Sequence, residues 1–311
     1  MAHVNSADRL AVRQTIRIIQ KVPMYKITSV MGTFSSSNPH TLKYATQGPE
    51  RHLMTHTIRL LPLLLLLLFF TAPSSLARKH NHMMMYQGGI VRTDTTRRQL
   101  TLVFTAADKN DGVEQILSTL KRHRIKAAFF LTGSFLEKYP EDVARIRKAD
   151  HYIGSHSYSH PLYSTWEKPD STIVTREFFE QDILRSYQAL APYGINLRNA
   201  PFFMPPYEHY NATIAEWAKS MGLTLINFTS GTASNADYTT PSMKNYRSSD
   251  NILQTILRKE ESEGLNGHLM LFHAGTSPER TDKFYTTHLH TLILELRQRG
   301  YRFVPLTKAI R

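Results

Sequence analysis

Residues 100–131 read LTLVFTAADKNDGVEQILSTLKRHRIKAAFFL, and this stretch decides the fold class. Residues 100–104 (LTLVF) are an apolar run of strand length, and 126–131 (KAAFFL) are a second. Between them, residues 112–123 carry apolar side chains at helical spacing. Strand, helix, strand is a βα unit, and repetition of that unit builds a parallel sheet. The repetition runs to the C-terminus, with helices expected over 134–148, 176–193, 211–221, 249–263 and 281–299. Strands are expected over 152–154, 200–204, 223–228, 268–272 and 301–305. The reading is one α/β domain over residues 98–311 with about seven strands, and both an open doubly wound sheet and a barrel accommodate it. In either case the carboxyl ends of the strands share one face, where sites are built. Polar residues cluster at those ends: Asp108, His156, the Pro206-Tyr207-Glu208 run and His273.

Composition narrows the chemistry. With 41% hydrophobic and 20% charged residues in 311, the chain can build a core, which excludes disorder, collagen and coiled coil. It has no cysteine, so disulfides, thiolate zinc clusters, a Cys nucleophile and a lipoprotein anchor are excluded, and a metal must sit on His, Asp or Glu. The net charge of +13 suggests a nucleic-acid partner, but 12 of the 38 Lys and Arg and only 3 of the 25 Asp and Glu lie in residues 1–97. The main body is mildly basic, and no nucleic-acid partner is expected. No glycine-rich phosphate loop follows the first strand, so a nucleotide cofactor is not expected either.

Residues 60–72 (LLPLLLLLLFFTA) are apolar and uncharged, follow Arg59 and end before Ser75-Leu76-Ala77. The run is shorter than the roughly 20 residues a spanning helix needs. Residues 54–77 therefore read as a secretory signal peptide with Met54 as the start, 1–53 as an upstream extension or tail, and 78–97 as a linker. The expected address is exported, whether periplasmic, cell-surface or secreted, with membrane contact only through the signal segment.

His156 and His160 are four residues apart, the spacing at which two imidazoles on one helical turn grip a cation. With 15 histidines in the chain such pairs also arise by chance. Asp108, at the end of the first strand, is placed to be a third ligand, and two His plus one carboxylate leave positions open for water and substrate. Tyr158, Tyr163, Trp166 and Tyr207 suit either sugar-ring stacking or ordinary packing.

From about residue 100 onward the chain resembles the polysaccharide deacetylases of the NodB homology type. His156-Ser-Tyr-Ser-His160 matches that family's His-Ser/Thr-x-x-His metal motif, and Leu271-Phe272-His273 its late Leu-x-His motif. Pro205-Pro206-Tyr207 is similar to the Arg-Pro-Pro-Tyr-Gly groove loop, and Asp237-Tyr238 to the Asp-Trp element. The phrasing around 235–241 and 280–285 looks like a secreted subgroup from gut-type Bacteroidetes. The resemblance implies a deformed (β/α) barrel that removes acetyl groups from oligo- or polysaccharides with a divalent metal, zinc being expected. It implies Asp108, His156 and His160 as metal ligands, His273 as general acid oriented by Asp237, and Pro206, Tyr207 and Trp166 along the substrate groove.

The departures are as specific as the matches. The family's Thr-Phe-Asp-Asp motif, whose first Asp is the general base, is here Phe104-Thr105-Ala106-Ala107-Asp108. The groove Arg is Met204 and the loop Gly is Glu208. With the base position an alanine, the replacement is expected first in Glu208, second in Asp111, and third in metal-bound hydroxide alone. Two rival expectations follow: a degenerate deacetylase fold that binds glycans without hydrolysis, and an O-acetyl esterase of the xylan type.

Overall fold

Along β3 (Gln99–Ala106) the side chains alternate between two cores. Leu100, Leu102, Phe104 and Ala106 pack outward against helices, while Val103 faces an inner cluster with Ile90, Ala128, Phe130, Met204, Ile226, Leu269 and Leu271. A strand buried on both faces is what a continuous apolar run such as LTLVF encodes. In this computed structural model, which describes residues 82–310, β3 is central in a parallel sheet. Around it lie β4 (Ala128–Leu131), β5 (Tyr152–Ser155), β6 (Phe202–Phe203), β7 (Thr224–Leu225) and β8 (Leu269–His273), in the order β7-β6-β5-β4-β3-β8. β9 (Arg302–Phe303) pairs with the start of β3.

That order settles the choice left open by the sequence. Each strand from β3 to β7 is added beside its predecessor in one direction, as in a barrel; a doubly wound sheet would reverse at a switch point. The sheet curls into a half-barrel, and its open side is spanned by two contacts. Thr229, just past β7, donates its N–H to the Leu269 carbonyl of β8 at 2.9 Å. β2 (Gly89–Arg92), paired with β1 (Met84–Tyr86), bridges Ile90 to Ile226 and Arg92 to His268. Residues 84–92, expected as linker, are thus a hairpin that plugs the seam. Gly89 is required there, because a Cβ would stand 2.5 Å from the Tyr210 hydroxyl and the Leu225 side chain.

The helices are α1 (Val113–Arg122), α2 (Gly133–Lys138), α3 (Pro140–Lys148), α4 (Arg176–Leu190), α5 (Ala212–Ser220), α6 (Ser249–Glu263), α7 (His288–Gln298) and α8 (Leu306–Ala309). Two expectations are corrected. The helix over 134–148 is two helices, because Pro140 cannot continue α2 and instead starts α3. The helix over 281–299 begins only at His288, because Asp282 is held as a loop anchor, accepting from the Ser249 N–H and the Tyr246 hydroxyl. The signal peptide and the upstream extension lie outside the described residues. Among the described residues no helix is long and apolar enough to cross a membrane.

Candidate active site

Parallel strands deliver five segments, from the ends of β3, β5, β6, β7 and β8, to one mouth of the half-barrel. After β5 the chain enters residues 156–160, which are a loop and not the helical turn expected from the His spacing. Ser157 and His160 have φ of 64° and 54°. The loop is fixed by its own hydroxyls, with Ser155 Oγ accepting from the Ser157 N–H and Ser157 Oγ from the His160 N–H, both at 3.0 Å. Asp182 of α4 accepts the amides of Tyr158 and Ser159, each at 3.0 Å. Asp182 was not anticipated. Its signal was an acidic residue on the apolar stripe of a helix, between Phe179 and Ile183.

His156 is buried, and its Nδ1 lies 2.9 Å from the Met204 carbonyl. A carbonyl only accepts, so Nδ1 carries the proton and Nε2 presents its lone pair to the mouth. Burial pulls the His156 imidazole well below its ordinary value, and the neighbouring His160 adds to this. His160, with its ring centroid 4.9 Å from that of His156, is pushed down to about 4 by burial and by His273. Both rings are neutral donors near pH 7.

The loop after β6 brings Pro206, Tyr207 and Glu208. Tyr207 is half exposed, its ring over His160 at 4.4 Å, while Pro206 is buried behind it. Tyr207 and Glu208 both adopt left-handed backbone, φ 57° and 54°. Of eight non-glycine residues with positive φ among those described, four sit in these two loops, as strained residues do at functional sites. Glu208 turns its carboxylate inward, with its side chain 11% exposed and Oε1 3.8 Å from His156 Nε2. Burial raises its carboxyl to about 7 against the opposing pull of His273, with Asp237 adding to the rise.

Opposite stands His273 at the end of β8. Its N–H and Nδ1 both meet Asp237, at 2.9 and 2.7 Å, leaving Nε2 as the available ring nitrogen. Burial works against the imidazolium, but the Asp237 carboxylate outweighs it and holds His273 above its ordinary value. Asp237 is itself buried on a short turn, and Arg280 fixes the segment that follows. The Arg280 guanidinium, with no exposed surface, donates to the carbonyls of Thr239 and Arg247 and to Ser249 Oγ, at 2.7 to 3.0 Å. A cleft of about 360 Å³ opens beside His273, lined among others by Thr105, Ala107, Asp108, Tyr238 and Met243. Tyr238 stands 5.0 Å from the His273 ring and is 40% exposed, an aromatic wall for a ring-shaped substrate.

The remaining expected residues are placed differently. Asp108 points to Lys109 Nζ at 3.1 Å with its side chain 54% exposed. Among the described residues no three His, Asp or Glu groups form a metal-holding cluster, so the set Asp108, His156 and His160 does not fit a divalent cation as the structure stands. Asp111 does not serve as a proton acceptor, because it accepts from the Thr276 N–H, Lys283 Nζ and the Tyr285 hydroxyl. Against the cost of burial these donors hold its carboxyl below its ordinary value. It ties the β8 loop to the β3 loop. Tyr163 is fully buried packing, and Tyr158 is clamped between Glu137 and Arg185. Trp166 is largely exposed and stacks on His209 at 4.0 Å.

A parallel half-barrel with a carboxylate-oriented His on one side of its mouth, and two neutral His beside a buried Glu on the other, defines a hydrolase-type site of the (β/α) class. Comparison adds to this: residues 92–226 match the model of the polysaccharide deacetylase family. A peptidoglycan-N-acetylglucosamine deacetylase of Bacillus cereus is 26% identical over 212 residues, 68% of this chain and 67% of the relative. A protein of the same description from Listeria monocytogenes is 26% identical over 215 residues, and the chain spans only 38% of its length. Among solved structures, a CE4 family pseudoenzyme from Bacillus anthracis superposes with a TM-score of 0.58 at 21% identity, covering 73% of this chain and 70% of that one, and so shares the fold.

Proposed function

We propose that the protein is an exported carbohydrate deacetylase that hydrolyses acetyl groups on an acetylated oligo- or polysaccharide of the peptidoglycan kind. The observation that carries this reading is the His273–Asp237 pair at the cleft, facing His156, His160 and Glu208 across the barrel mouth. The acetylated sugar lies along the cleft between Tyr207 and Tyr238, with its acetyl group at the mouth. Water adds to the acetyl carbon on the His156 side as the neighbouring Glu208 carboxylate takes its proton, and the resulting tetrahedral adduct collapses when the leaving nitrogen gains a proton. His273 gives that proton from Nε2, and Asp237 stabilises its charged form beforehand and holds the ring in one tautomer. The expected divalent cation, zinc, would meet two neighbouring neutral imidazoles in His156 and His160 but no third converging donor among the described residues.

The test is acetate release from chitooligosaccharides, peptidoglycan fragments and acetylated xylan, by wild type and by His273→Ala. Turnover of the acetamide substrates, reduced about 10²- to 10⁴-fold in the variant, is the expected result. Turnover of xylan alone moves the reading to an O-acetyl esterase. A second reading rests on Ala106 and Ala107, which leave the end of β3 without a carboxylate: a glycan-binding module of the same fold. Glycan binding without acetate release, at saturating zinc, is its signature.

A further inference from the structure

We infer that the end of the half-barrel opposite the mouth is a docking surface for an anionic polysaccharide, held in a cation-lined groove between α1 and α3 and in the cavity that adjoins it towards α8. The inference uses no residue of the mouth, and it rests on the glycan reading of the protein only in its choice of a polysaccharide.

Chain direction gathers the charges there. In a parallel βα unit the helix runs back against its strand, so the last turn of a helix and the start of the next strand lie at one end. The groove, of about 740 Å³, is lined by Lys121 from the last turn of α1, by Arg124 after it, and by Arg145 and Lys148 from the last turn of α3. The cavity, of about 400 Å³, takes in Arg147 and Lys308, and Lys126 and His151 line both spaces. All seven cations are exposed, and the two linings oppose them with only Glu114 and Asp150.

These cations are largely unspent. Lys126 meets Asp150 at 4.0 Å, and Arg145 is shared by Glu114 and Asp142. The other five have no ion-pair partner among the described residues. A helix dipole favours a cation in the last turn, yet α4 and α6 end without one, so helix ends in this fold do not demand the accumulation. Residues 98–311 carry 26 Lys and Arg against 22 Asp and Glu, which leaves the remainder of the body close to neutral. The mouth gathers the carboxylates of Asp108, Asp182, Glu208 and Asp237, so a polyanion is drawn to the opposite end.

The linings also select the occupant. None of the exposed large hydrophobic side chains lies in either space, so the surface has nothing to insert into a bilayer. Tyr152 is packed on Phe130 and Phe202 and spends its hydroxyl on the Phe202 backbone, which leaves no platform for a nucleic-acid base. Ammonium and guanidinium groups spread over two adjoining spaces fit a hydrophilic chain with a carboxylate on each repeat.

The test is calorimetric titration of the full chain with polygalacturonate, with dextran as the neutral control. Wild type is compared with the triple variant Lys121→Gln/Arg124→Gln/Lys148→Gln and with Lys168→Gln/Lys219→Gln/Lys244→Gln, which removes equal charge from exposed sites outside both linings. The basic residues of 1–97 contribute equally to all three. Polygalacturonate binds wild type and dextran does not, with affinity falling about 20- to 100-fold from 50 to 200 mM salt as three to five cations release counterions. The first variant binds at least about 10-fold more weakly and with a shallower salt slope, the second within about threefold of wild type. Both keep the wild-type Tm to within about 2 °C, as exposed substitutions do. Equal losses in the two variants reduce the effect to net charge and overturn the inference, as does a wild type that binds no polygalacturonate. Tighter binding of polyglutamate, single-stranded DNA or phosphatidylglycerol vesicles overturns the choice of a polysaccharide. No readout uses acetate release, so a failed deacetylase assay and a failed docking surface are told apart.

Discussion

Replacing Asp237 by Asn tests the acid half of the mechanism with almost no change of shape. The carboxylate spends one oxygen on His273 Nδ1 at 2.7 Å and the other on the His273 N–H at 2.9 Å, and both partners donate. Asparagine has one acceptor oxygen, so whichever way the amide turns its NH₂ faces a donor. One charge-assisted hydrogen bond is lost, worth about 1.5–3 kcal/mol. Because Asp237 is 1% exposed, solvent does not replace it. If that energy is expressed in the transition state, where His273 is the proton donor, kcat falls roughly 10- to 150-fold at 1.4 kcal/mol per decade. The pH profile gives the sign. A general acid works protonated, so activity falls as pH rises through the His273 titration, which Asp237 holds above its ordinary value against the cost of burial. The variant loses that support, and its alkaline limb moves to lower pH. Acetate release across pH, with the His273 ring followed by NMR in the absence of substrate, reads both effects. A variant with kcat within about threefold of wild type and an unmoved alkaline limb removes His273 from the acid role.

Two further outcomes concern stability. His151, far from the mouth, is pushed down to about 4 by burial, with the Lys126 charge adding to the effect, and its Nδ1 accepts the Ala127 N–H at 3.2 Å. Between pH 6.5 and 4 the unfolded chain binds a proton that the native one excludes, so stability falls as pH drops, by about 2.5 kcal/mol at pH 4.5 from this group. His151→Asn keeps an acceptor that does not titrate, and denaturation at pH 7 and pH 4.5 shows a smaller loss than in wild type; an equal loss refutes the assignment. Arg280→Met strips donors from two carbonyls and a hydroxyl in a fully buried place, and costs about 3 kcal/mol in a denaturant titration. It also loosens the segment behind Asp237, lowering kcat more than it raises KM; unchanged stability shows that water replaces the guanidinium.

The fold was legible where local pattern and tertiary burial agree. Residues 100–131 gave strand, helix and strand because a doubly buried strand needs an unbroken apolar run, and α6 was read to the residue because Ser248 caps it and Gly264 ends it. The seam hairpin was missed although Gln87-Gly88 carries φ of 45° and 82°, the pair of positive angles a tight hairpin turn requires, because MMMYQGGIVR lacks polar alternation. In the site, His156, His160, Glu208 and His273 were named from strand ends and motif spacing, and they share one mouth. Asp108 lines the cleft beside His273, as its place at the strand end suggests, but its carboxylate is half exposed and paired with Lys109, a contact that spacing along the chain does not record. Arg280 left no signal and Asp182 only that of an acid on an apolar helix stripe, because what matters in each is the set of distant backbone groups it holds, and spacing along the chain carries no record of these.

The mouth of a half-barrel collects loops from every strand, so the chemistry there depends on which side chains arrive and much less on which strand sends them. A carboxylate missing after β3 is therefore open to replacement from β6, whose loop already leans over His156 through the Met204 carbonyl. Glu208 bears two costs at once: a left-handed backbone of the order of 1–3 kcal/mol, and burial that raises its carboxyl to about 7. Glycine would remove both, and nothing in the packing asks for a carboxylate, since its side chain makes no hydrogen bond among the described residues. Two independent stability costs at one residue that supports no neighbour are the pattern of a residue kept for function. The loop position that suits glycine structurally thus carries a carboxylate, and it is the position beside His156 that the proposed chemistry uses.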